Sequence, residues 1–362
     1  MDNKIVMDGI TFDNVLLLPG YTDFKRQDVS LETTLHPTIK LTLPVISSPM
    51  DTVTEEAMAT AIATAGGLGI IHRNLSISDQ ARMVANVKTN NLLVGAAVGA
   101  GGDLKERVKA LVTARSDVIV VDSGHGFTKF IIDAVKFIKS GNPTQVIMAG
   151  NVATADGAKA LVDAGADIIR VGMGPGSICT TRIITGMGVP QLTAIVEAVR
   201  GVGGSHATIV ADGGVKQIGD MAKALGFGAH AVMLGSLLAG FDESPGEKVD
   251  VNGKTYKQYR GMGSVAAMQK GSAERYGQSS DAEKRKLIAE GVEGLVPFKG
   301  AVADYLEQVA GSLRSSFYYV GARSMGEFHE KAKFIRITAA GMRESHPHSI
   351  LISDAGDNYT LE

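Results

Sequence analysis

"DVIVVDSGHGFTKFIIDAVKFIKSGNPTQVIMAG" spans residues 117–150 and decides the fold. Its ends, "DVIVVDS" and "QVIMAG", are short, nearly unbroken apolar runs rich in β-branched residues. Between them, "FTKFIIDAVKFIKS" carries its apolar residues at helical spacing. A strand without polar alternation is buried on both faces, as happens when helices cover a parallel sheet. The stretch therefore reads as a strand, a helix and a second, parallel strand.

The same unit recurs on both sides. "LPVISS" (43–48), "GLGIIH" (67–72) and "LLVGAAV" (92–98) precede it, and "DIIRVG" (167–172), "TIVADGG" (208–214) and "AVMLGS" (231–236) follow. Amphipathic segments such as "TEEAMATAIATAGG", "SDQARMVANVK" and "LKERVKALVTAR" separate the strands. Eight such strands predict an α/β chain folded as a (β/α)8 TIM barrel, a single catalytic domain over residues 1–362. An open doubly wound sheet is the alternative, but eight regular repeats without a domain break favour closure. Two spacings break the rhythm. A long loop follows strand 6, at about 173–192, and a flap excursion follows strand 8, at about 237–300, before "ADYLEQVAGSL" returns to helix. Both leave the C-terminal ends of strands, the face where barrel enzymes build their active sites.

Composition narrows the function classes. Apolar residues at 44% suffice for a core, and a net charge of −2 without any basic tract argues against nucleic acid or an anionic membrane as partner. No apolar run approaches the roughly 20 residues of a membrane span. The N-terminal "MDNKIVMDGITFDN" is polar and acidic, unlike a signal peptide. The single cysteine, Cys179, rules out an internal disulfide and fits a reducing, cytoplasmic location. The 44 glycines cluster after apolar runs, where backbone must approach a ligand closely.

Strand 7 ends in "ADGG" (211–214), strand 8 in "LGS" (234–236), and the strand 6 loop offers "GPGS" (174–177). Barrel phosphate sites form in this region, where glycine N–H groups and a hydroxyl surround the anion. Each motif alone is equally a tight turn; three converging on one rim favour phosphate. Asp212 beside that anion suits a sugar hydroxyl, so the expected ligand is a phosphorylated ribose. A lone cysteine is ordinarily a small buried hydrophobe. Cys179, however, follows a glycine loop and precedes Arg182 and a helix start, which would favour the reactive thiolate. No His and Asn signature of a cysteine protease surrounds it, so its target is a nucleotide rather than a peptide.

Other motifs carry less. "GMGSVA" (261–266) matches a dinucleotide fingerprint but follows no βαβ strand, so it is not read as a Rossmann site. "DSGHG" (122–126) ends strand 4 at the same rim, where Asp122 and Ser123 either hold a polar cofactor group or cap the next helix. "ERYG" (274–277), near Lys270, reads as a solvated turn; His72 and Arg73 reach the rim without an assigned role.

"GPGSICTTR", "ADGG", "YRGMGS", "MQKGSAERYG" and "EGVEGLVPFKG", in this order on a barrel, resemble the inosine 5′-monophosphate (IMP) dehydrogenases. The resemblance runs from "TFDNVLLLPG" through "FHEKAKFIRIT". It implies NAD-dependent oxidation of IMP to xanthosine 5′-monophosphate (XMP), the committed step of guanine nucleotide synthesis. It also implies that Cys179 attacks C2 of the hypoxanthine ring and that a flap bearing Arg275 and Tyr276 then closes to hydrolyse the adduct. Arg275 would be the base for water and Thr181 part of a second route. An arginine is almost never neutral, so that role requires the closed site to favour the neutral form strongly.

By motif, Ser177, Asp212, Gly213, Gly214, Gly235 and Ser236 match the phosphate and ribose positions. Tyr259, Arg260, Gly261, Met262, Gly263 and Glu293 match the part bordering phosphate and base. Asp122, Ser123, Gly124, Gly172, Met173 and Gly174 match the NAD side. The family's monovalent cation, usually potassium, implies a cage of carbonyls from Gly174, Gly176 and Cys179. Glu344, Ser345 and His346 of the neighbouring subunit of a homotetramer would complete it.

One departure stands out. Most members insert paired cystathionine-β-synthase-type (CBS) modules after the second barrel helix, whereas here residues 89–91 lead directly into the third strand. Regulation through such a pair is therefore not expected. Guanosine monophosphate reductases share the cysteine loop but lack the Arg-Tyr flap pair and the "GVEG" (291–294) present here. A flavin-dependent barrel and a non-catalytic nucleotide-binding barrel are further alternatives; the reactive setting of Cys179 argues against the second.

Overall fold

The computed structural model describes residues 4–279, 283, 286–353 and 358–359, so part of the predicted excursion, at 280–282 and 284–285, lies outside the described residues. Eight parallel strands close into a barrel. They are β1 (Val45–Ser47), β2 (Leu68–Ile71), β3 (Val94–Val98), β4 (Val118–Asp122), β5 (Val146–Val152), β6 (Ile168–Val171), β7 (Thr208–Asp212) and β8 (Ala231–Leu234). Strand β8 pairs with both β7 and β1, which excludes the open sheet. Helices α1 (Glu56–Thr64), α2 (Ile77–Thr89), α3 (Leu104–Thr113), α4 (Lys129–Gly141), α5 (Ala155–Asp163), α6 (Gln191–Val202) and α7 (Ile218–Gly226) follow the first seven strands in turn. After the excursion, α8 (Val302–Val320) packs between α7 and α1 and completes the ring. Helix α2 passes through Asn90 and Asn91 directly to β3.

Alternation along the strands sorts the apolar residues into two layers. Ile119 and Val121 of β4, Ile147 and Ala149 of β5 and Ile169 of β6 face the helices. Val118, Val120, Val146, Met148, Ile168, Val210 and Met233 fill the lumen. The antiparallel hairpin Thr33–His36 and Ile39–Leu41 plugs the N-terminal end of the barrel, adding Leu35, Ile39 and Leu41 to the lumen core. Thr208 Oγ1 ties it down by donating to the Leu35 carbonyl at 2.7 Å. Each fully buried aliphatic side chain contributes about 1.5–3 kcal/mol.

The same parity dictates what stands at the C-terminal end of the lumen. Continuing the inward phase by one step places Ser48, His72, Asp122, Arg170 and Asp212 there, with glycines at 99, 150 and 235 on the remaining strands. The small positions leave room for the large ones. A Cβ on Gly150 would come within 2.7 Å of the Arg170 Cβ. The hydrocarbon core thus ends in a polar layer at the rim.

The excursion after β8 is more ordered than a loop. Lys248–Val251, Lys254–Arg260 and Glu293–Pro297 form a three-stranded antiparallel sheet. The first two strands join at Asn252-Gly253, both with positive φ, as a two-residue hairpin turn requires. "GMGSVA" follows the second strand of this antiparallel sheet, so it is indeed no βαβ turn. Ser264 caps the short helix Val265–Ala267, and further helical turns lead to Tyr276.

Candidate active site

A cavity of about 530 Å³ opens at the C-terminal rim. Ser177, Asp212, Gly213, Gly214, Gly235 and Ser236 all line it, together with Tyr259, Gly261, Met262 and Gly263. The three glycine turns that the sequence places on one rim therefore meet. Burial raises the pKa of the Tyr259 phenol against the opposing hydrogen bonds of Ser177 and Ser236, so its neutral hydroxyl stands in the glycine cradle. Asp212 Oδ2 accepts from Arg170 Nε at 2.9 Å and from Asn151 Nδ2 at 2.7 Å. Ser48 Oγ and Asn151 Oδ1 are buried polar atoms without a hydrogen-bond partner among the described residues, and both residues line the cavity. A hydroxylated ligand can satisfy such atoms.

Cys179 is half-buried at this cavity, not packed in the core. Its Sγ lies 3.1 Å from Thr181 Oγ1. A splint holds the loop. Thr180 N donates to the Glu290 carbonyl, Val292 N to the Ile178 carbonyl and Glu290 N to the Gly263 carbonyl, each at 3.0 Å, and Cys179 bridges Gly291. The cysteine loop, the turn at 261–263 and the segment 290–292 therefore form one backbone unit. Arg182 donates to the carbonyls of Met173 (3.2 Å) and Val189 (2.6 Å), closing the base of the loop.

Two members of the expected set lie elsewhere. Glu293 starts the third excursion strand, paired in register with Arg260, and is exposed rather than lining the cavity. The Gly291 bridge instead brings Glu290, three residues earlier, into the lining. Arg260 is also outside the lining: its guanidinium is engaged by Asp51, Nε to Oδ1 at 3.0 Å and Nη2 to Oδ2 at 2.6 Å. Its part is to anchor the residues that follow it. Sequence reading also missed Arg170, Asn151 and Ser48. The inward phase of "DIIRVG" carried the signal for Arg170, since Ile168 and Arg170 share a face.

A second cavity, of about 580 Å³, adjoins the first across Met173 and Thr181. Asp122, Ser123 and Gly124 line it, with His125, Thr128 and Phe130. Gly172 and Gly174 line the first cavity instead, beside Met173. Thr128, not Asp122 or Ser123, caps α4, accepting from Ile131 N at 3.4 Å, so the rim pair is free of that duty. The segment read as a solvated turn is folded into this cavity. Gly124 N donates to the Arg275 carbonyl at 2.9 Å, and Tyr276 lines both cavities. Asp122 is in ion-pair contact with Arg275 and with Arg170.

Burial alone would raise the Asp122 pKa, but the guanidiniums of Arg275, Arg170 and Arg73 hold it down at about 2. Conversely, burial would favour neutral Arg275, yet Asp122 outweighs it and raises its pKa. In this arrangement Asp122 therefore holds Arg275 as a cation. Glu344 closes the helix Ala339–Glu344, followed by Ser345 and by His346, whose Nδ1 bonds the Tyr359 hydroxyl at 2.8 Å. None of these three lines the Cys179 cavity within one chain.

The family described as the IMP dehydrogenase / GMP reductase domain matches residues 9–348. The chain belongs to this family. Among curated IMP dehydrogenase relatives, that of Halalkalibacterium halodurans is 38% identical over 486 positions, covering 99% of this chain and 100% of the relative. That of Bacillus subtilis is 38% identical over 488 positions, covering 99% of each. That of Borreliella burgdorferi is 41% identical over 400 positions, covering 97% of this chain and 99% of the relative. Alignments of 486 and 488 positions exceed the 362 residues of this chain, so those IMP dehydrogenases carry a segment without counterpart here. The Borreliella alignment is far shorter. Among the described residues, no helix is long and apolar enough to cross a membrane.

Proposed function

We propose that the chain oxidises IMP to XMP with NAD through a covalent adduct at Cys179, the committed step of guanine nucleotide synthesis. The observation that carries the reading is the Cys179 thiol held beside a cavity with a phosphate-type glycine cradle and Asp212. Ser177, Gly213, Gly214, Gly235, Ser236 and Tyr259 take the phosphate, and Asp212 takes the ribose hydroxyls. Gly261, Met262 and Gly263 border the base. The thiolate forms a bond to C2, the C2 hydrogen leaves with its electron pair, and the thiol proton goes to solvent. Bound in the second cavity, NAD⁺ supplies the acceptor for that hydride. Water then adds at C2, the carbon–sulfur bond breaks, and Cys179 recovers its proton as XMP forms.

The second cavity suits NAD because Asp122 on its wall stays charged across the working pH range and can accept from a ribose hydroxyl. Arg275 now occupies that carboxylate, so flap and cofactor exclude each other. With Arg275 cationic, its task is to orient water and keep bulk solvent out. The proton then leaves through Thr181 and Glu290, both of which line both cavities.

Potassium would be held by the carbonyls of Gly174, Gly176 and Cys179. Gly176 already accepts from Cys179 N at 3.0 Å, and a carbonyl retains a second lone pair for a weakly hydrated cation. Glu344, Ser345 and His346 of a second copy would complete the cage in a homotetramer. Activity should rise severalfold when potassium replaces a bulky organic cation; an unchanged rate would remove the cage. The remaining assignments are a single catalytic domain, a cytoplasmic location and no CBS-type nucleotide control. The functional test is NADH formation from IMP, with intact-mass spectrometry during turnover showing a nucleotide attached at Cys179. NADPH-dependent deamination of guanosine monophosphate, without IMP oxidation, would overturn the reading.

A further inference from the structure

The rim where the two cavities meet carries a charge cluster that is balanced by itself. Asp122 and Asp212 face Arg170 and Arg73, two carboxylates against two guanidiniums. Inserting Arg275 alone would leave one buried positive charge in excess, which is costly in a low-dielectric site. The flap brings its own compensation one residue earlier. Glu274 Oε2 lies 3.8 Å from Arg73 Nη1, and the Arg73 side chain is only 8% exposed. The Glu274 carboxylate also packs on the loop after β3, since a Cβ on Gly101 would come within 2.4 Å of it. Glu274-Arg275 therefore docks as a neutral pair.

We infer that Arg73 and Glu274 form a latch that sets how long the Arg275–Tyr276 flap occupies the cofactor's cavity, an inference that rests on the functional reading above. Arg73, which sequence alone left without a role, is a positioning residue, and Glu274 is its partner on the moving side. Because flap and cofactor compete for one cavity, any loss of latch strength appears as a gain in apparent NAD affinity. It appears equally as a loss in the closed fraction that hydrolyses the adduct. Glu274 is half-exposed, so solvent screens the pair and the expected shift is only about three- to fivefold.

The test uses Glu274→Gln, which keeps the side-chain shape at a half-exposed position. Hydrogen–deuterium exchange of the ligand-free protein should show residues 268–279 exchanging about three- to fivefold faster than in the wild type. In turnover, kcat should fall by a similar factor, while the NAD concentration at which excess NAD inhibits should also fall. Unchanged exchange in that segment overturns the latch. So does a lower kcat without any shift in NAD inhibition, the mark of a general structural lesion. The exchange arm needs no turnover: a wild type that makes no NADH from IMP sinks the functional reading, and exchange alone then decides the latch.

Discussion

Cys179→Ala is expected to remove IMP-dependent NADH formation by at least about 10⁴-fold, the scale seen when a covalent nucleophile is deleted. Hydride departure from C2 needs that carbon to be tetrahedral first, and no other lining residue offers a nucleophile of comparable strength at neutral pH. Binding should survive. Apart from Ser177, the proposed phosphate cradle, Asp212 and Tyr259 belong to other backbone segments, and the half-buried thiol contributes little packing. IMP affinity by calorimetry should therefore stay within about threefold, because a single weak contact of under roughly 1 kcal/mol is lost. The adduct in the mass spectrum should vanish together with turnover. Residual NADH formation above about 1% of wild type, at intact IMP binding, would show that Cys179 is not the attacking group.

Why the barrel was legible and parts of the site were not follows from the range of the signals. Each barrel strand pairs with the next one in sequence and repeats the same apolar code, so "DVIVVDS" and "QVIMAG" expose the architecture by recurrence. The rim motifs were legible because glycine runs at strand ends have few purposes. Arg170 was hidden by its position inside an apolar run, where a charge reads as noise until strand phase is counted. Glu293 and Glu290 illustrate another limit. They sit three residues apart in one motif, and the backbone bridge between Cys179 and Gly291 decides which one enters the cavity. That pairing joins segments more than a hundred residues apart, beyond any local pattern. The flap's docked position likewise depends on a long-range charge balance around Asp122, not on "ERYG" itself.

Arg275→Ala should separate the two halves of the reaction. On the proposed mechanism hydride transfer requires the flap out of the second cavity, so its rate should change by no more than about threefold, as for a residue absent from that transition state. Adduct hydrolysis should slow by about 10²- to 10³-fold, the range for losing a group that positions and activates water. Rapid mixing of enzyme, IMP and NAD would then give a full burst of NADH followed by a slow steady state. Asp122→Asn provides the contrast. Asp122 lines the second cavity and pairs with Arg275, so if that cavity takes NAD as proposed, its loss should slow both phases. A burst that shrinks in proportion to the steady rate in Arg275→Ala would mean that the residue supports the fold of the rim rather than hydrolysis. Because Asp122 keeps Arg275 protonated, the pH profile of the slow phase should follow another group. Replacing Glu290 by Gln should slow that phase and leave the burst intact, whereas an unchanged slow phase would return the proton-accepting role to Arg275.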